Sequence, residues 1–185
     1  MGLANPGQEY QGTRHNVGAE AVTRFAARHG IATKRERGLS ARAGEATRDG
    51  RRIVVAIPET YMNESGLAVR ALCRRYLGPD LAGLVVVHDE LDLSPGVVRV
   101  KKGGGTAGHN GLRSIDQHLK TLDFVRVRIG IGKPPGRSAG ADYVLSKPSR
   151  RDQEAIDVAI ELAADALDLL LERGTDAAMT EVNAT

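Results

Sequence analysis

The stretch LVVVHD (84–89) constrains this chain more than any other. It is a near-continuous apolar run without polar alternation, as expected of a strand covered on both faces. Strands of that kind sit inside sheets flanked by helices. The run ends in three ionisable residues, His88, Asp89 and Glu90. Open α/β sheets place their sites at the carboxyl ends of strands, so these three are candidate functional groups.

The other periodicities agree with an interleaved α/β chain. Val17, Ala21, Val22, Phe25 and Ala26 recur at helical spacing and predict a helix over 15–29. Residues 30–50 are basic and irregular, with a possible strand around 41–47, and RRIVVAIP (51–58) reads as a strand ended by Pro58. Helical spacing returns over 64–77 and 110–122, and strand patterns over 97–102 and 124–132. Ile156, Ala159, Ile160, Ala163, Leu167 and Leu170 line one face of a long acidic C-terminal helix at about 150–173. No repeat or long linker divides the chain. The expected fold is one α/β domain over 1–185, a mixed twisted sheet wrapped by helices. KPPGRSAGAD (133–142) is the longest breaker-rich loop, readable as a mobile lid or a plain connector.

Composition removes several classes. No apolar run approaches the roughly 20 residues needed to cross a bilayer. The first residues, MGLANPGQEY, lack the blocks of a signal peptide, so a cytoplasmic location is expected. The lone Cys73 excludes an intrachain disulfide. Aromatics are 3% with no Trp, which disfavours extended stacking of bases. Net charge is +3, but residues 1–150 carry +10 and residues 151–185 carry −7. A basic body favours a polyanionic partner, although a solvated surface of uneven charge reads the same way.

Four polar segments carry the candidate chemistry. In GLANPGQEYQGTRHNVG (2–18), Asn5 precedes a Pro6–Gly7 turn and His15 falls at the expected start of a helix. A helix N-terminus disfavours imidazolium and keeps such a histidine neutral, as a general base requires. In ETYMNESG (59–66), Asn63 reads either as a helix cap or as an amide donor to a carbonyl, and Met62 reads as core. In VVVHDELDL (85–93), an acid at the strand end can orient a histidine, bind a metal or cap a helix. In KKGGGTAGHNG (101–111), glycines allow close backbone approach, and Lys101 and Lys102 suit a phosphate. GxxxxGK[ST] is absent, and no GxSxG nucleophile elbow is expected, because the GRSAG match (136–140) falls in the breaker-rich loop.

Taken in order, GLANPG, EY with TRHN, YMNESG, HDELDL, GGGTAGHNGLRSI, FVRVRIGIGKP and YVLSKP closely resemble the bacterial-type peptidyl-tRNA hydrolase family, from residue 2 to about 148. The resemblance implies a phosphorylase/hydrolase-like fold and hydrolysis of the ester between a peptide and the tRNA 3′ ribose. It implies His15 as catalytic base, Asp89 as the acid that orients it, and Asn5, Asn63 and Asn110 as active-site asparagines. Tyr10, Tyr61, Met62 and His109 match positions lining the peptide and acceptor-end channel, Tyr61 where a Phe is common. Lys101 and Arg128 fall where the family clamps the tRNA 5′-phosphate. A monomer without cofactor or metal is implied. One departure stands out: Met1 directly precedes Gly2, where members carry several more strand residues. Two rival readings are a non-catalytic RNA-binding module on the same fold and a metallohydrolase using His15, His88, His109 and Asp89.

Overall fold

The computed structural model describes residues 1–134 and 140–184. Its strands are β1 (Lys34–Glu36), β2 (Ala41–Arg48), β3 (Arg51–Pro58), β4 (Val85–Glu90), β5 (Val98–Lys102) and β6 (Val125–Gly130). Its α-helices are α1 (Val17–Arg28), α2 (Ser65–Tyr76), α3 (Asn110–Leu119), α4 (Gly140–Val144) and α5 (Arg150–Ala184). Apart from the end of the C-terminal helix, the predicted strands and helices recur with each boundary within three residues, and β1 and α4 were not anticipated. Half of the expected lid at 133–142, residues 135–139, lies outside the described residues, and 140–142 begin α4.

β1, β2 and β3 form an antiparallel sheet. In the second sheet β6 lies between β4, its parallel neighbour, and β5, which is antiparallel to it. The segment Met1–Leu3 joins the two sheets. Gly2 N–H donates to Ala56 O (3.0 Å), Leu3 N–H to Val87 O (3.0 Å), and Val87 N–H to Met1 O (2.8 Å). The residues that lead into the Pro6–Gly7 turn are therefore anchored on both sides.

β4 is buried on both faces, as its apolar run requires. Val87 packs into the core shared with α1 and α5, whereas Val86 packs with Val69, Leu112 and Ile115 of α2 and α3. Each such side chain contributes about 1.5–3 kcal/mol on burial. Among the described residues no helix is long and apolar enough to cross a membrane.

The C-terminal helix breaks at Gly174 (φ 82°, ψ 179°) and resumes to Ala184, so it exceeds the expected 150–173. Its acidic face meets the basic face of α1. Arg28 pairs with Glu161, Asp165 and Asp168, Arg24 with Glu161, and His29 with Asp168. The uneven charge of the sequence is thus partly compensated inside the molecule, leaving the remaining cations on other surfaces.

Candidate active site

His15 lies in a single 3-10 turn (Arg14–Asn16) just ahead of α1, rather than within its first turn. Its position owes much to its neighbour. The buried Arg14 guanidinium donates to Ser146 O, Ser146 Oγ and Lys147 O, and stacks 4.1 Å from the Tyr143 ring centroid. Arg14 therefore ties the residues after α4 to the turn that carries His15.

The His15 ring meets the end of β4. Nδ1 lies 2.8 Å from Asp89 Oδ1, and both side chains are buried. A second imidazole reaches the same oxygen, His109 Nε2 at 3.0 Å. Burial opposes charge on Asp89, but the adjacent His109 and His15 rings outweigh it and hold the carboxyl below the usual carboxylate range. Asp89 is therefore the fixed negative charge of the site.

Asn5 approaches from the first segment. Its backbone is gripped by Asn16, whose Oδ1 accepts from Asn5 N–H (2.9 Å) and whose Nδ2 donates to Asn5 O (3.0 Å). Asn5 Oδ1 accepts from Met62 N–H (2.8 Å), which settles the amide orientation and leaves Nδ2 as the outward donor. Asn16 was missed from the sequence. An Asn beside a helix start reads as a cap, yet here its side chain caps nothing.

The remaining predicted residues divide. Asn63 and Asn110 are exposed, in the turn before α2 and at the first residue of α3. The cap of α3 is His109, whose Nδ1 accepts from Leu112 N–H. Tyr10 and Tyr61 meet edge to face at 6.4 Å, and Tyr61 is 53% exposed. Met62 is 3% exposed. It is buried among Leu3, Leu112 and Ile115 and reaches Asn5 only through its backbone. Cys73 is buried in α2, and burial pushes its thiol up to about 11, which removes it as a nucleophile at neutral pH.

Lys101 and Arg128 lie on the same face of the β5–β6 pair, but they are not equivalent. Glu90 Oε2 accepts from Arg128 Nε (3.0 Å) and Nη2 (2.9 Å), so much of that guanidinium is already engaged. Lys101 has no ion pair among the described residues; partial burial and the nearby Arg128 and Arg126 lower its pKa. The buried Arg126 was also missed. Its Nη1 and Nη2 donate to Gly105 O (2.7 Å) and Gly104 O (2.6 Å) and hold the glycine-rich loop over the sheet.

His88 lies on the opposite face of β4 from Asp89. Its Nδ1–H donates to Asp89 O (2.6 Å), and its Nε2 has no partner among the described residues. Burial, then the neighbouring His109, pushes its pKa down to about 3. The folded state thus refuses a proton that the unfolded chain accepts below about pH 6.5. Stability therefore falls as pH drops from about 6.5 towards 3. His88→Gln should lose about 2 kcal/mol less than the unmodified protein between pH 7 and pH 5. Urea melts at the two pH values measure this, and parallel losses would sink it.

An apolar cavity of about 380 Å³, lined by Val22, Phe25, Val55, Leu84 and Leu167, contains none of these groups. Cavity size does not locate the site; convergent polar groups do. His15, Asp89 and His109 offer donor atoms within 4.8 Å of one another, a set that could suit a metal. Hydrogen bonding accounts for it better. His109 Nδ1 accepts an amide proton, so the proton of the neutral ring sits on Nε2, the atom facing Asp89.

The profile of the peptidyl-tRNA hydrolase family matches residues 1–185. A peptidyl-tRNA hydrolase of Rhodococcus erythropolis is 46% identical over 183 residues, covering 99% of this chain and 96% of that protein. One from Nocardia farcinica is also 46% identical over 183 residues, covering 99% and 94%. The crystal structure of peptidyl-tRNA hydrolase from Acinetobacter baumannii superposes with a TM-score of 0.91 at 39% identity, covering 99% of this chain and 92% of that one. A 5′-methylthioadenosine nucleosidase from Arabidopsis thaliana shares the fold alone, with a TM-score of 0.51 at 11% identity over 92% and 95% of the two chains. Match along the whole length, in sequence and in structure, shows that this chain belongs to the peptidyl-tRNA hydrolase family.

Proposed function

We propose that the protein hydrolyses the ester between the C-terminal carboxyl of a peptide and a ribose hydroxyl at the tRNA 3′ end, with His15 as general base. The observation that carries this reading is the buried His15–Asp89 contact at 2.8 Å. Asp89 accepts from Nδ1–H, so the Nε2 lone pair faces the reaction. His15 Nε2 takes a proton from water as the oxygen attacks the ester carbonyl. The resulting oxyanion needs a donor, and the Asn5 Nδ2–H, fixed because its Oδ1 is held by Met62 N–H, suits that role. The imidazolium then returns its proton to the leaving ribose oxygen. Exposed Asn63 and Asn110 flank the site and suit the peptide backbone or the attacking water. Tyr10 and Tyr61 offer an aromatic wall for the peptide or acceptor end.

Lys101, with Arg128 beside it, is the phosphate-binding group of this reading, acting as the enzyme meets its substrate as a monomer in the cytoplasm. Because Glu90 already engages Arg128, Lys101→Ala is expected to have the larger effect. It should raise KM for a tRNA substrate and reduce the slope of log(kcat/KM) against log[salt] by about one. Equal loss on a short ester without tRNA would count against the clamp.

The reading is tested by incubating the purified protein with an N-acetylated aminoacyl-tRNA in excess chelator. Release of free tRNA with turnover is expected. Tight binding without release would favour the RNA-binding alternative, and loss of activity on chelation would favour the metallohydrolase.

A further inference from the structure

We propose that His109 is a positioning residue that limits how strongly Asp89 holds a proton on His15, by donating to the same carboxylate oxygen. The proposal rests on the reading of His15 as base and adds a third member to its proton chemistry.

Two hydrogen bonds define the state of His109. Nδ1 accepts from Leu112 N–H at 3.3 Å as the cap of α3, so it carries no proton. The ring proton therefore lies on Nε2 and points at Asp89 Oδ1, 3.0 Å away. Protonating Nδ1 would set an N–H against the Leu112 amide at the positive end of a helix, an unfavourable contact. His109 thus presents an Nε2–H donor to Asp89, with Nδ1 as the acceptor of the α3 cap.

Its surroundings keep it there. The His15 ring lies 5.0 Å away and tilted, and the His88 ring meets it edge-on at 4.9 Å. The ionisable groups facing this cluster are Asp89 and His88 from β4, His15 from the 3-10 turn, and Arg126 from β6 behind His88. The His109 side chain is only 7% exposed, so it has little surface to offer a substrate.

Asp89 Oδ1 therefore receives two N–H donors, His15 at 2.8 Å and His109 at 3.0 Å. A second donor withdraws charge from the oxygen and weakens the pull on the first. Imidazolium at His15 is stabilised less than in a two-member Asp–His pair. His15 then passes its proton more readily to the leaving ribose oxygen and remains an unprotonated base at lower pH.

Two variants separate the cap from the shared bond. Asparagine caps helices well but is too short to reach Asp89, so His109→Asn keeps α3 and loses the donor. Glutamine extends its amide to about the position of Nε2 and never titrates, so His109→Gln keeps the donor. With N-acetylated aminoacyl-tRNA, the acid limb of kcat/KM for His109→Asn should move up by about one pH unit, with KM little changed. The limb for His109→Gln should stay where the unmodified enzyme has it. NMR titration of the His15 ring in each protein, without substrate, should move in parallel. A raised KM with an unmoved limb and an unmoved His15 titration would overturn the proposal, as would identical behaviour of the two variants. If His15→Ala retained turnover, the base assignment would fall separately, and the NMR titration would still decide whether His109 acts on His15.

Discussion

Replacing His15 with alanine should lower kcat on N-acetylated aminoacyl-tRNA by about 10²–10⁴-fold, the usual worth of a positioned general base. KM should change little, because the residues suited to holding peptide and phosphate, Asn63, Asn110 and Lys101, lie on other elements. The fold should persist. His15 belongs to none of the apolar clusters, and Asp89 keeps the His109 donor when His15 is gone. Steady-state kinetics beside a thermal melt separate catalysis from folding. A variant with unreduced kcat and a normal melt would end the proposed mechanism, whatever the likeness to the family.

Gly18→Ala should damage stability and catalysis together. A Cβ on Gly18 would lie 2.3 Å from Val87 O and 2.9 Å from Val87 C. Both are backbone atoms of β4, with no side-chain rotamer to relieve the clash. The start of α1 must retreat by about 1 Å, and overpacking of this kind costs about 1–3 kcal/mol. For a chain of this size that is a fall in Tm of about 2–4 °C per kcal/mol. The catalytic consequence follows from position. Val87 precedes Asp89 by two residues, and Gly18 follows His15 by three. A shift of this size stretches the 2.8 Å His15–Asp89 contact, and misplacement by about 1 Å can cost about 10²-fold in rate. Thermal melts and kcat for the purified variant check both halves. An unchanged Tm would mean that α1 does not rest on the β4 backbone.

Much of the architecture was legible before any coordinates, because burial imprints a period on sequence. The apolar run before Asp89 identified the strand covered on both faces. Helical spacing located α1, α2, α3 and the first part of α5 to within a few residues. The ordered motifs identified the family and drew attention to His15, Asp89 and Asn5. The helix beyond Gly174 was less legible, since a glycine after an apolar stripe reads as an end as readily as an interruption.

What the sequence could determine by itself was which residue types lie on which faces, and in what order along the chain. Only the tertiary structure decided which polar groups bond to one another. Asn16 grips Asn5 across 11 residues, and Asp89 receives His109 from 20 residues away and His15 from 74. Arg126 was drawn to the glycine-rich loop and Arg128 to Glu90, although both alternate along the same strand. The physical reason is that apolar burial is non-directional and periodic, so it can be read from spacing. A hydrogen bond needs a particular donor brought to a particular acceptor, and an amide or imidazole can act as either until folding supplies the partner.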